Sequence, residues 1–190
     1  SINLLRKPYG VVAGIIPWNF PISVFVRKLA PALVTGNTTV LKPSELTPLT
    51  TLELVNIIGR EGNLPPGVVN VVTGGGAVGA ELVSDDEVDY VTMTGNVDTG
   101  KAIMRNAADD LTRVSLELGG KAPAIVCADA DVELAVENIV ASRTINAGQA
   151  CTCVERVYVH ADVREEFEAQ FVAAMEALEI GDPRDDPDMG

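Results

Sequence analysis

Histidine is nearly absent from this 190-residue chain: His160 stands alone, in a segment (156–160) that reads as an ordinary strand. A thiol paired with a histidine would have to use that one residue. The same scarcity bears on metals, because Cys127, Cys151, Cys153 and His160 follow no usual zinc spacing, and no metal site is expected. Three cysteines are an odd number, no secretory leader is visible and no apolar run reaches membrane-spanning length, which together suggest a reducing cytoplasm. Bases are few as well. Fourteen of them, only five of which are lysines, face 27 acids, and the net charge of −13 argues against nucleic acid or an anionic membrane as a partner. Acids crowd runs such as Asp85-Asp86-Glu87, Asp109-Asp110 and Glu165-Glu166, as expected of a protein kept soluble in concentrated salt. A halophilic source is one expectation, an ordinary acidic cytosolic protein the other. Internal repeats and low-complexity segments are also missing.

What is present is an alternation of short apolar runs with helical patterns. Residues 11–16, 38–41, 69–73, 90–94 and 114–118 read as strands, rich in Val and Ile and without polar alternation, as strands covered on both faces should be. Residues 50–58 and 99–108 carry the spacing of amphipathic helices, and 22–34 that of a helix interrupted by Pro31. This is the rhythm of an open parallel α/β sheet. After Gly119-Gly120 it restarts with a strand at 124–126, a helix from about 131 to 145 with Asp129 as its expected cap, a strand at 156–159 and a helix at 163–178. A domain boundary is expected at 119–121.

Two segments concentrate the chemistry. Glu117-Leu118-Gly119-Gly120-Lys121 supplies a carboxylate and Gly148-Gln149-Ala150-Cys151 a thiol, which points to covalent thiol chemistry with a glutamate base. A carboxylate of ordinary pKa, about 4.3, activates water only when burial raises it, and the apolar setting of residues 115–119 predicts such burial for Glu117. Cys153 is expected to pack rather than react. Two glycine turns join a predicted strand to a helix: Gly74-Gly75-Gly76-Ala77-Val78-Gly79, which has the glycine pattern of a dinucleotide fold, and Thr94-Gly95-Asn96-Val97-Asp98-Thr99-Gly100, whose helix-start amides suit a pyrophosphate. For the first turn, a glycine-rich bend that only needs positive φ is an equal reading.

Taken with Pro17-Trp18-Asn19-Phe20-Pro21 and Lys42-Pro43-Ser44-Glu45, these motifs, in this order and spacing, resemble the NAD(P)-dependent aldehyde dehydrogenase superfamily over essentially the whole chain. The run 149–159 is most similar to the lactaldehyde/glycolaldehyde branch. The resemblance implies an α/β fold in which an open parallel-sheet coenzyme domain (9–119) is followed by the start of an α/β catalytic domain (120–190), with residues 1–8 as the end of a bridging strand used in oligomerisation. It implies Cys151 as nucleophile, Glu117 as base toward a thioester, and the Asn19 side chain with the Cys151 amide as donors to the developing alkoxide. It implies coenzyme contacts at Trp18, Lys42, Glu45, Gly79, Gly95, Asn96 and Gly119, with Asn96 standing where the family commonly has serine. Glu45 would accept from ribose hydroxyls and repel a 2′-phosphate, so NAD is the expected cofactor. Because such enzymes extend well beyond both ends, the chain is expected to be an internal piece, inactive by itself, of a homo-oligomer (dimer or tetramer) acting on a small aldehyde. A semialdehyde dehydrogenase of the succinate type, or a truncated non-catalytic chain, remain the alternatives.

Overall fold

Val- and Ile-rich runs form strands because their branched side chains pack well on a pleated surface covered from both sides. In the computed structural model, which describes residues 2–190, the chain divides into one unit ending at Gly119 and a second starting at Gly120. Residues 2–9 carry no regular secondary structure, and Ser1 of the expected bridging segment lies outside the described residues.

In the first unit, β1 (Val11–Ile15), β2 (Thr38–Lys42), β3 (Val69–Val71), β4 (Tyr90–Thr94) and β5 (Arg113–Glu117) pair in the order β3-β2-β1-β4-β5, all parallel. The helices are α1 (Pro21–Val34), α2 (Leu49–Glu61), α3 (Gly76–Val83) and α4 (Val97–Asp110). Side chains alternate between two cores. Ala13, Val91 and Met93 pack with Val83 and Ile103 from α3 and α4, while Ile16 and Leu41 pack with Val24, Phe25 and Leu29 of α1 and with Leu54 and Ile58 of α2. Helix α1 runs through Pro31, at a cost of roughly 3 kcal/mol, and the burial of Val24, Phe25, Leu29 and Ala32 on its inner stripe offsets that cost.

The second unit is a βαβ element, β6 (Ala122–Val126), α5 (Val132–Thr144) and β7 (Val154–Val159), followed by α6 (Arg164–Glu176). Its core joins Val126, Val132, Val136, Ile139, Val140 and Phe167. Here the expected cap is corrected: Asp131, not Asp129, caps α5, its Oδ1 accepting from the Leu134 amide at 3.0 Å. A turn closed by the Ala130 amide on the Cys127 carbonyl holds Asp129 outside the helix. His160 is likewise one residue past β7, capping a short 3-10 turn by accepting from the Asp162 amide. No helix of the described residues is long and apolar enough to cross a membrane.

Candidate active site

The sheet reverses its order between β1 and β4, and in open α/β sheets such a switch point opens a crevice at the carboxyl ends of the strands. The candidates of the first unit all fall at those ends. Trp18 and Asn19 follow β1, Lys42 ends β2 with Glu45 just beyond, Gly79 lies on the helix after β3, Gly95 and Asn96 follow β4, and Glu117 ends β5 with Gly119 beyond it. Trp18 is 42 % exposed and Asn19 half-buried, and the Thr47 hydroxyl donates to the Trp18 carbonyl at 2.9 Å, tying the loop after β1 to the loop after β2. Pro21 opens α1 at the position where a missing N–H costs nothing.

Lys42 is only 4 % exposed, yet it is well satisfied: Nζ donates to the Gly74 and Pro43 carbonyls at 2.6 and 3.0 Å and pairs with Glu45 at 3.7 Å. Its stem explains Gly79, where a Cβ would lie 3.2 Å from Lys42 Cε. The glycine turn after β3 and the Lys-Pro-Ser-Glu segment are thus one structure, with the Glu45 carboxylate left exposed over it. Asn96 is the N-cap of α4, its Oδ1 accepting from the Thr99 amide at 2.8 Å. The cap consumes the oxygen, leaving the Nδ2 hydrogens as the side chain's donors.

Glu117 departs from expectation, being exposed rather than buried. It is the last residue of the edge strand, paired on one side only, with Thr94, while its carbonyl accepts from the Gly95 amide at 3.0 Å. Besides Lys42, the described residues of this unit bury a second lysine, Lys28, which sequence reading passed over. It sits on the apolar stripe of α1 between Val24, Phe25, Leu29 and Ala32, and a cation in that 3-4 spacing is the signal that would have found it. Nζ donates to Thr92 Oγ1 at 3.0 Å above the sheet position where Gly14 leaves room for Leu41 and for the lysine stem. Burial pulls the Lys28 pKa from 10.5 down to about 8; attraction to Glu117 opposes that shift, and the neighbouring Arg27 adds to it.

In the second unit the two thiols of Cys151-Thr152-Cys153 part company. Cys153 is buried, with Sγ directed at the Ile145 carbonyl 3.9 Å away, whereas Cys151 is exposed. The packing role expected of Cys153 and the accessibility a nucleophile needs are thus separated by two residues. Ahead of Cys151 lies the 3-10 turn Ile145–Gly148, in which Asn146, Ala147 and Gly148 all hold positive φ. Gly120 lies beside the Cys151 backbone, where a Cβ would make ordinary contact with the Cys151 carbonyl oxygen at 3.4 Å.

The sequence matches the aldehyde dehydrogenase family over residues 1–190. It is 51 % identical to the lactaldehyde dehydrogenase of Escherichia coli, covering 100 % of this chain and 40 % of that enzyme. The crystal structure of lactaldehyde dehydrogenase from Escherichia coli superposes with a TM-score of 0.91 over 97 % of this chain and 39 % of that one. The NADP(+) succinate-semialdehyde dehydrogenase GabD of the same organism is 46 % identical over 96 % of this chain and 38 % of its own length. A structure of PnpE in complex with nicotinamide adenine dinucleotide matches at 44 % identity and a TM-score of 0.88, over 94 % and 37 % of the two chains. The chain therefore spans about 40 % of the length of the curated relatives it matches. With every residue inside the family match and half of them identical to such a relative, the chain belongs to the aldehyde dehydrogenase family.

Proposed function

We propose that the full-length protein is an NAD-dependent aldehyde dehydrogenase that oxidises a small hydroxyaldehyde, of the lactaldehyde or glycolaldehyde kind, to its carboxylate. The single observation that carries this reading is the exposed Cys151 beside a buried Cys153, in a chain 51 % identical to a lactaldehyde dehydrogenase. Residues 9–119 are the coenzyme domain and 120–190 the start of the catalytic domain in this reading. The carbonyl-braced Lys42, the exposed Glu45 beyond it and the glycine turn packed on the lysine stem fit the adenosine half of a dinucleotide. The first turn of α4, entered through Gly95 and Asn96, fits its phosphates. Trp18 and Gly119 are assigned to the same coenzyme site.

The thiolate of Cys151 attacks the aldehyde carbon, forming a C–S bond and placing negative charge on the carbonyl oxygen. The Asn19 side chain and the Cys151 amide donate to that oxygen; losing one such donor typically costs about 100-fold or more in rate. Bound NAD supplies the acceptor for the hydride released as the C=O bond re-forms, which leaves an acyl group on sulfur. Glu117 then takes a proton from water, the water oxygen attacks the thioester carbon, and the C–S bond breaks to return the thiolate and release the carboxylate. Because Glu117 is exposed in this structure, desolvation has to come from the bound substrate and coenzyme or from the remainder of the enzyme.

A homo-oligomeric, cytoplasmic and salt-adapted enzyme completes the proposal, the last from the net charge of −13. The second reading, a succinate-type semialdehyde dehydrogenase, is supported by the 46 % identity to GabD. Measuring kcat/KM of the full-length protein for lactaldehyde, glycolaldehyde and succinate semialdehyde, each with NAD and with NADP, separates the two. Preference for the distal carboxylate would reject the hydroxyaldehyde reading, and absence of turnover with any of them would reject both.

A further inference from the structure

The turn ahead of Cys151 is strained. Asn146 and Ala147 hold left-handed φ values of 49° and 52°, and Gly148 follows at 77°. A left-handed conformation is disfavoured for a non-glycine residue, so two in succession persist only where their surroundings impose them. One source of that imposition is Arg143, in the last turn of α5. A Cβ on Gly148 would come within 2.9 Å of Arg143 Nη2 and 3.1 Å of the Arg143 carbonyl oxygen, so the guanidinium lies directly on the glycine backbone. Arg143 Nη1 is sealed from solvent, makes no hydrogen bond and faces Glu155 Oε1 at 3.8 Å. A buried donor that lacks a hydrogen-bond acceptor is destabilising, and such a group calls for a reason beyond stability. Glu155, near the start of β7, is held from its other side by an ion pair with Lys121, just ahead of β6.

The chain Lys121, Glu155, Arg143 therefore links the starts of both strands to the end of α5, three points that bracket the Cys151 loop. Both ends of that loop are anchored. Gly148 rests on Arg143, and Cys153 is buried with its amide donating to the Ala150 carbonyl at 3.2 Å. Cys151 lies between the anchors with its own side chain exposed, so its place depends on the turn rather than on contacts of the thiol. We propose that Arg143 is a positioning residue: through Gly148 it fixes the left-handed turn that places Cys151, with Glu155 and Lys121 as its anchor. This rests on the reading of Cys151 as nucleophile.

The test uses the full-length enzyme carrying Arg143→Met, Arg143→Lys, Gly148→Ala and the Arg143→Met/Gly148→Ala pair, with kcat, coenzyme KM and the rate of Cys151 alkylation by iodoacetamide across pH as readouts. A displaced nucleophile loses on the order of 100-fold in rate. Arg143→Met is expected to lose kcat on that scale and to alkylate at an altered rate, with coenzyme KM unchanged. Arg143→Lys, which keeps the charge but not the planar fork, should recover only part. The pair should be no worse than its poorer member, because both changes act on one contact. Wild-type kcat and alkylation in Arg143→Met, or additive losses in the pair, overturn the proposal. Should Arg143→Met fail to fold, Glu155→Gln carries the test: lowered kcat at a native unfolding midpoint supports the positioning role, and unchanged kcat and alkylation overturn it. Activity that survives Cys151→Ala overturns both this proposal and the reading beneath it, whereas a dead Cys151→Ala beside an unaffected Arg143→Met removes the positioning role alone.

Discussion

Replacing Lys28 by Met should remove a pH dependence of stability that the structure makes calculable. Lys28 is 7 % exposed and its pKa is drawn from 10.5 to about 8 by burial, against the pull of Glu117. Below the folded value both states carry the proton and the native state bears the full cost of a buried charge. Between about 8 and 10.5 the native state has released its proton while the unfolded chain still holds it. The unfolded state then binds more protons, so stability rises with pH through this window and levels off above it. The distance between the two pKa values corresponds to about 3 kcal/mol in all, of which about 2 kcal/mol falls between about pH 7 and pH 9.5. Urea unfolding of the 190-residue chain, followed by the fluorescence of its single tryptophan, Trp18, gives the measurement at a series of pH values. The difference between wild type and Lys28→Met should shift toward wild type by about 2 kcal/mol over that range. Parallel pH curves for the two proteins would mean that Lys28 is no more buried in the native state than in the unfolded one, contrary to its place on the inner stripe of α1.

Three further outcomes are expected. Glu117→Gln in the full-length enzyme should keep a rapid first turnover of NADH while the steady-state rate falls by about 100-fold or more, and an undiminished steady state would take the base role from Glu117. Asn96→Ala should lower unfolding free energy by about 1 kcal/mol through loss of the cap on α4, with Asn96→Ser close to wild type; equal losses in both would show that the cap is not what Asn96 contributes. Glu45→Gln should raise the ratio of kcat/KM for NADP over NAD, since a carboxylate placed against the ribose would repel a 2′-phosphate, and an unchanged ratio would place coenzyme selection elsewhere.

The sheet was legible because its strands carry short runs of apolar and β-branched residues, most buried in the central strands β1, β2 and β4, and the predicted and observed strands have centres within one residue of each other. Residues 72–73 fell outside β3 because the Val72 amide makes one last bond to the Leu41 carbonyl as the chain turns toward Gly74. Asp129 and Asp131 are both plausible caps on paper, and only the turn closed on Cys127 decides between them. Glu117 was expected to be buried on the strength of its apolar neighbours in sequence. Exposure follows from its place at the end of an edge strand, which local composition does not encode. The break before Cys151 was hidden for a similar reason. Asn146 and Ala147 carry no turn signature that demands positive φ for both, and their conformation is tied to a tertiary contact between Gly148 and Arg143. Lys28 is the instructive omission, since its position on the inner stripe of α1 was visible from spacing alone.

Whether Cys151 carries the acyl group is read by mass spectrometry of the full-length enzyme, quenched in acid during turnover of lactaldehyde with NAD and digested. A lactoyl thioester is expected on the peptide containing Cys151, accumulating further in Glu117→Gln and absent from Cys151→Ala, which should be inactive. An unmodified Cys151 throughout turnover, or NADH production that survives Cys151→Ala, would contradict that role.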